Sequence, residues 1–109
     1  MRLFSLDKAP LEPVSHNPEL KKRVLTHDTL PHIKHISHII LHPGDSASEH
    51  VHNDSFEVFY CIRGNAEFLI KGECVSIKDG ILLFVEPGEV HSIPKIKEET
   101  ELLYFRVSK

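Results

Sequence analysis

From Ile33 onward, apolar and polar positions alternate in short bursts, and each burst stops at a cluster of turn-forming residues. Ile33–Leu41 is rich in isoleucine and roughly alternating, which predicts a strand. His42-Pro43-Gly44-Asp45 ends it. Further strands are predicted over residues 48–52, 56–62, 66–70, 73–77, 81–85, 91–93 and 101–107. Asn53-Asp54, Arg63-Gly64-Asn65, Asp79-Gly80 and Glu86-Pro87-Gly88-Glu89 separate them, and Lys71-Gly72 reads as a tight hairpin turn. The first thirty residues differ. Pro10, Pro13, Pro18 and Pro31 interrupt any long helix, so a short helical turn is expected over residues 17–22 and a strand from about 23. Eight to ten short strands with frequent turns predict an all-β, antiparallel barrel or sandwich. The expected division is a partly irregular N-terminal arm over 1–22 and a single barrel domain over 23–109.

The chain has 109 residues, 40% of them hydrophobic and 27% charged, which is ordinary globular composition for one domain. Thirteen Lys and Arg against 16 Asp and Glu leave a net charge of −3. That balance offers no grip on a phosphate backbone, so nucleic acid is excluded as an expected partner. The N-terminal apolar stretch ends at Asp7, too early for a signal-peptide core, and no apolar run approaches the roughly 20 residues of a membrane span. A cytoplasmic protein is expected, with Cys61 and Cys74 as reduced thiols.

Nine histidines are the compositional oddity. His50 and His52 are two apart, which on a strand puts both rings on one face. Glu57 opens the next predicted strand after a short loop, so a hairpin can carry its carboxylate beside them. His91 starts another strand far along the chain. Each alone has an ordinary structural explanation, as a surface carboxylate or a loop histidine. Together, three imidazoles and a carboxylate suit a borderline divalent ion: Mn, Fe, Co, Ni, Cu or Zn. By contrast His32, His35 and His38, spaced by three on a predicted strand, alternate faces and do not converge on one ion.

The joint pattern resembles the cupin family. Its first motif is a glycine, five residues, His-x-His, three or four residues, a glutamate, six residues and a glycine, and Gly44, His50, His52, Glu57 and Gly64 stand at those positions. Of the second motif, Gly80, Gly88 and His91 match, whereas Glu86 stands where proline is usual and Lys95 where asparagine is usual. The resemblance implies a single jelly-roll barrel with a metal held by His50, His52, Glu57 and His91 inside one mouth. It implies a metal-dependent enzyme acting on a small oxygenated molecule, of dioxygenase or of isomerase or lyase type, or alternatively a non-enzymatic protein that binds or senses a sugar or small acid. No catalytic side chain is assigned; nothing in the sequence gives Tyr60 or Glu86 a direction, and Cys61 is at most a further ligand.

If Glu57 points inward, Phe59 and Cys61 share its face and line the barrel with Phe68 or Phe84. Val58, Tyr60 and Ile62 then point outward although apolar or aromatic, and a strand apolar on both faces is usually covered on both. The cover is either the N-terminal segment or a partner subunit. A homodimer is expected, as is common among single-barrel cupins.

Overall fold

A computed structural model describes all residues, Met1–Lys109. After a 3-10 turn at Leu6–Lys8 come ten strands: β1 Leu11–Val14, β2 Asn17–Leu30, β3 Ile33–Leu41, β4 Ala47–His50, β5 Ser55–Arg63, β6 Asn65–Ile70, β7 Glu73–Lys78, β8 Leu82–Val85, β9 His91–Ile93 and β10 Thr100–Ser108. They form a six-stranded sheet in the order β1-β2-β3-β10-β5-β8 and a four-stranded sheet in the order β4-β9-β6-β7. Every pairing is antiparallel. The inner faces of the two sheets close a jelly-roll barrel.

Alternation decides what fills it. On β5, Phe59 and Cys61 point in; on β10, Leu102 and Tyr104; on β6, Ala66, Phe68 and Ile70. Phe59 stacks on Tyr104 at 5.4 Å and meets the edge of Phe68 at 4.9 Å. Phe68 is a lining residue and Phe84 is not: Phe84 is 59% exposed on the outer face. Val58 also faces outward but is buried, in a shallow groove with Phe56, Phe84 and Val107. Tyr60 and Ile62 beside it are exposed.

The expected helical turn over 17–22 is not formed. Those residues begin β2 and pair with β1, in register Glu12↔Lys22 and Val14↔Asn17. Glu19-Leu20-Lys21-Lys22 are good helix formers, but four residues are too few to hold a helix alone, and strand pairing overrides the preference. Pro13 is tolerated because β1 is an edge strand that need not donate on its open side. The turn between the two strands is tied to β4, where Ser48 Oγ donates to the His16 carbonyl at 2.8 Å and Asn17 Nδ2 to the Ser46 carbonyl at 2.7 Å. This tie carries the N-terminal hairpin over the barrel mouth.

Candidate metal centre

Three chain segments meet at that mouth. β4 pairs with β9 so that His50 lies opposite His91. β4 ends at His50, two residues sooner than expected, and His52 stands in the loop that follows. That loop is fixed by the Gly88 amide, which donates to the His52 carbonyl at 2.8 Å. Glu57 enters from β5 and is buried. The four predicted residues therefore converge: one donor atom from each of His50, His52, Glu57 and His91 lies within 4.8 Å of the others.

The orientation of the rings restricts what can sit among them. Nδ1 of His50 lies 2.9 Å from the Ser48 carbonyl, and Nδ1 of His91 lies 2.9 Å from the Glu89 carbonyl. A carbonyl only accepts, so each Nδ1 carries the hydrogen, and a neutral ring then presents a bare lone pair at Nε2. Those Nε2 atoms face Glu57 Oε1, at 3.0 Å from His91, 3.6 Å from His52 and 3.8 Å from His50. The bare Nε2 atoms of His50 and His91 and the Glu57 carboxylate are acceptors turned on one another, and they repel unless a proton or a cation stands between them. Without a metal, protons serve. Burial raises the Glu57 carboxyl, but the three histidine rings that face it, His91 within hydrogen-bond distance, outweigh burial and hold the group well below its usual range. Burial lowers His91, yet its bond to Glu57 leaves it raised. A proton between His91 and Glu57 still leaves His50 and His52 beyond hydrogen-bond length of that oxygen. A cation with bonds of about 2.1 Å sets neighbouring donors about 3 Å and opposite donors about 4.2 Å apart. The donor set fits such an ion, and the backbone-anchored Nδ1 atoms are the supporting contacts that metal-bound histidines use.

The surrounding cavity has a volume of ≈ 330 Å³, in the range of small-molecule sites. Ile39, Leu41, Phe59, Ile93 and Leu102 give it apolar walls, and Lys22, His35, Tyr104 and Arg106 reach it as well. His16, from the β1–β2 turn, lies flat on His50 with ring centroids 3.8 Å apart and planes 12° apart. His16 and His35 line this cavity, and sequence reasoning gave neither a place there. No spacing marks them, because the clasp of the N-terminal hairpin and the inward face of β3 bring them in. His38 points outward to Glu101, 2.6 Å away, so the neighbouring histidines of β3 do alternate. Cys61 is buried in the core outside the ligand cluster, with its thiol raised by burial and by Asp79. Tyr60 and Glu86 are exposed, Tyr60 on the outer face of β5.

A family model described as the cupin domain matches residues 37–107, well over half of the chain. The chain belongs to the cupin family. An oxalate-binding protein of Thermotoga maritima is 42% identical to this cupin over 53 residues, 49% of this chain and 44% of that protein. The tetracenomycin polyketide synthase protein TcmJ of Streptomyces glaucescens is 33% identical over 73 residues, 67% of this chain and 49% of that protein. The matched stretches thus span under half the length of either relative. Among solved structures, a predicted oxalate decarboxylase from Thermotoga maritima superposes with a TM-score of 0.86 at 23% identity, covering 99% of this cupin and 100% of that chain. The polyketide cyclase RemF from Streptomyces resistomycificus superposes at 0.81 and 18% identity, covering 99% and 79%. At these identities the likeness is one of fold. No helix is long and apolar enough to cross a membrane.

Proposed function

We propose that this cupin holds a divalent transition metal on His50, His52, Glu57 and His91 and is a metal-dependent enzyme acting on a small oxygenated molecule. The observation that carries the reading is the convergence of three imidazole Nε2 atoms on one buried carboxylate oxygen, with two of the rings locked by backbone carbonyls so that Nε2 is the bare nitrogen. Four protein donors leave open positions on a six-coordinate ion, which would supply Lewis-acid polarisation of a carbonyl or enolate and, for a redox metal, a meeting point for dioxygen and substrate. The chain's own part is to orient the donors, to exclude bulk water with the walls of β3, β5 and β10, and to cap the mouth with His16. Dioxygenase and isomerase or lyase chemistry both fit this arrangement, since the fold hosts many activities. The similarity to an oxalate-binding protein favours a second reading, in which the centre binds a small acid without turnover. We also propose a homodimer in the cytosol. The uncovered apolar outer face of the six-stranded sheet supports the first part, and two free thiols suit a reducing compartment.

Metal analysis of the purified protein and of two variants tests the centre. Wild type and His35→Ala should carry one ion per chain, and His52→Ala almost none. Equal loss in both variants, or a wild type that takes up no Mn, Fe, Co, Ni, Cu or Zn, removes the proposal. Oxygen uptake and product analysis with diols, catechols and hydroxy acids then separate turnover from binding.

A further inference from the structure

The ion pairs around the cavity leave one cation over. Lys34 Nζ is paired with Asp54 at 2.8 Å, and Arg106 lies 3.6 Å from the same Asp54 and donates to Ser55 Oγ at 3.2 Å. Asp28 is engaged by His27 at 3.0 Å. Glu57 faces the three histidines. Lys22 has no ion pair and no hydrogen bond. Its stem could run outward to water, as lysine stems commonly do. Instead the half-buried chain lines the cavity, with Nζ 5.8 Å from the ring centroid of Tyr104. Tyr104 in turn stacks on Phe59, so the ammonium stands over an aromatic wall, and Glu12, opposite Lys22 on β1, attracts it without forming an ion pair.

We propose that Lys22 is a ligand-binding residue, and that the ligand is a small organic acid with two anionic ends, one chelating the metal and the other paired with Lys22. The proposal rests on the metal reading above and names the substrate class for that site. Its ground is charge balance. One carboxylate, Glu57, does not neutralise a divalent ion, and in the rest of the lining Lys22, Lys34 and Arg106 outnumber the other carboxylate, Asp28. A singly charged chelator leaves the half-buried ammonium without an ion-pair partner in the cavity. A second carboxylate on the same ligand answers it. The walls between the two points of attachment are apolar (Ile39, Leu41, Phe59, Leu102), so the body joining the two ends is a short carbon chain or ring. Burial is what makes the pairing discriminating. A site built to pair a charge rejects an analogue that lacks it far more strongly than an apolar pocket rejects a missing methylene.

The test compares two ligands of equal length and identical chelating end, 2-hydroxyglutarate and 2-hydroxypentanoate, titrated calorimetrically into metal-loaded protein. Wild type should bind the diacid at least about tenfold more tightly. Lys22→Met should lose that preference while keeping the metal content and the affinity for 2-hydroxypentanoate. Lys22→Arg should restore most of the preference. Lys21→Met, altering the exposed neighbour, should leave it intact. Equal affinities in the wild type, a preference that survives in Lys22→Met, or no binding of either acid to metal-loaded protein overturns the assignment of Lys22 and leaves the metal centre standing. A protein that takes up no metal removes the centre and this assignment together, and the metal analysis tells that failure from the others.

Discussion

His35 shows how far a single side chain is governed by where its strand puts it. It faces the cavity on β3, meets Tyr104 edge-on at 5.5 Å and shares a 2.8 Å hydrogen bond with Ser37 Oγ. Burial, and then the charge of Lys22, lower its pKa to about 4. The neutral ring is therefore the folded form down to about pH 4. Between pH 6.5 and 4 the unfolded chain takes up a proton that the folded chain refuses, so stability falls as pH drops through this window and levels off below it. After allowance for solvent screening the loss is on the order of 1–2 kcal/mol. Denaturant titrations of metal-free protein at pH 7 and pH 4.5 should show a smaller difference for His35→Gln than for wild type. An unchanged difference would show that the ring is not held neutral. His16 acts by contact: its stacking on His50 covers one ring of the candidate centre.

Among the elements, the β1–β2 hairpin covers the mouth, and the β5–β6 turn closes the other end of the strand that carries Glu57. The hairpin is held to β4 through the side chains of Asn17 and Ser48. Replacing both with alanine should cost about 1–2 kcal/mol, each bond contributing roughly 1. It should also speed hydrogen exchange at residues 14–20 while the strands β5 and β10 keep their protection. Uniform exchange across the molecule would mean the hairpin does not open by itself. Gly64, between β5 and β6, has φ +108, and a Cβ there would lie 2.5 Å from the Glu99 carbonyl oxygen and 2.7 Å from Thr100 Cα. Both are backbone atoms that cannot swing aside. Gly64→Ala should destabilise by about 2–3 kcal/mol, read as a lower denaturation midpoint at unchanged slope. Gly44 stands at positive φ in open space, so Gly44→Ala meets backbone strain without the clash.

At the scale of the whole molecule, the two faces of the six-stranded sheet have different fates. The inner face is closed by the four-stranded sheet. The outer face keeps Tyr60, Ile62, Leu82 and Phe84 exposed, between 39% and 59%. The N-terminal segment reaches only the β2 side, where Arg23 donates to the Ala9 carbonyl at 2.9 Å. A contiguous apolar face of this kind is uncommon on a monomer. Light scattering should give twice the chain mass for wild type and the single mass for Tyr60→Lys combined with Phe84→Lys. A monomeric wild type at micromolar concentration would dispose of the dimer.

The strands from Ile33 onward were legible because alternation, β-branched residues and turn clusters all act over a few neighbouring positions. Lys71-Gly72 is the clearest case: both residues take positive φ, 51° and 79°, in the two-residue turn its sequence predicts. The four residues at the mouth were legible for a related reason, since their spacing on strands and turns fixes where each side chain can point. What the sequence could not decide was long-range pairing. Residues 17–22 lean locally toward helix, and only the edge strand and the ties to β4 make them β2. That same pairing brings His16 onto His50 and turns Lys22 into the cavity, contacts between parts of the chain whose separation carries no periodic mark. Local chemistry wrote the barrel and the convergence of His50, His52, Glu57 and His91; the packing of distant strands, which answers to burial and backbone pairing rather than to neighbouring residues, chose the rest of the cavity wall.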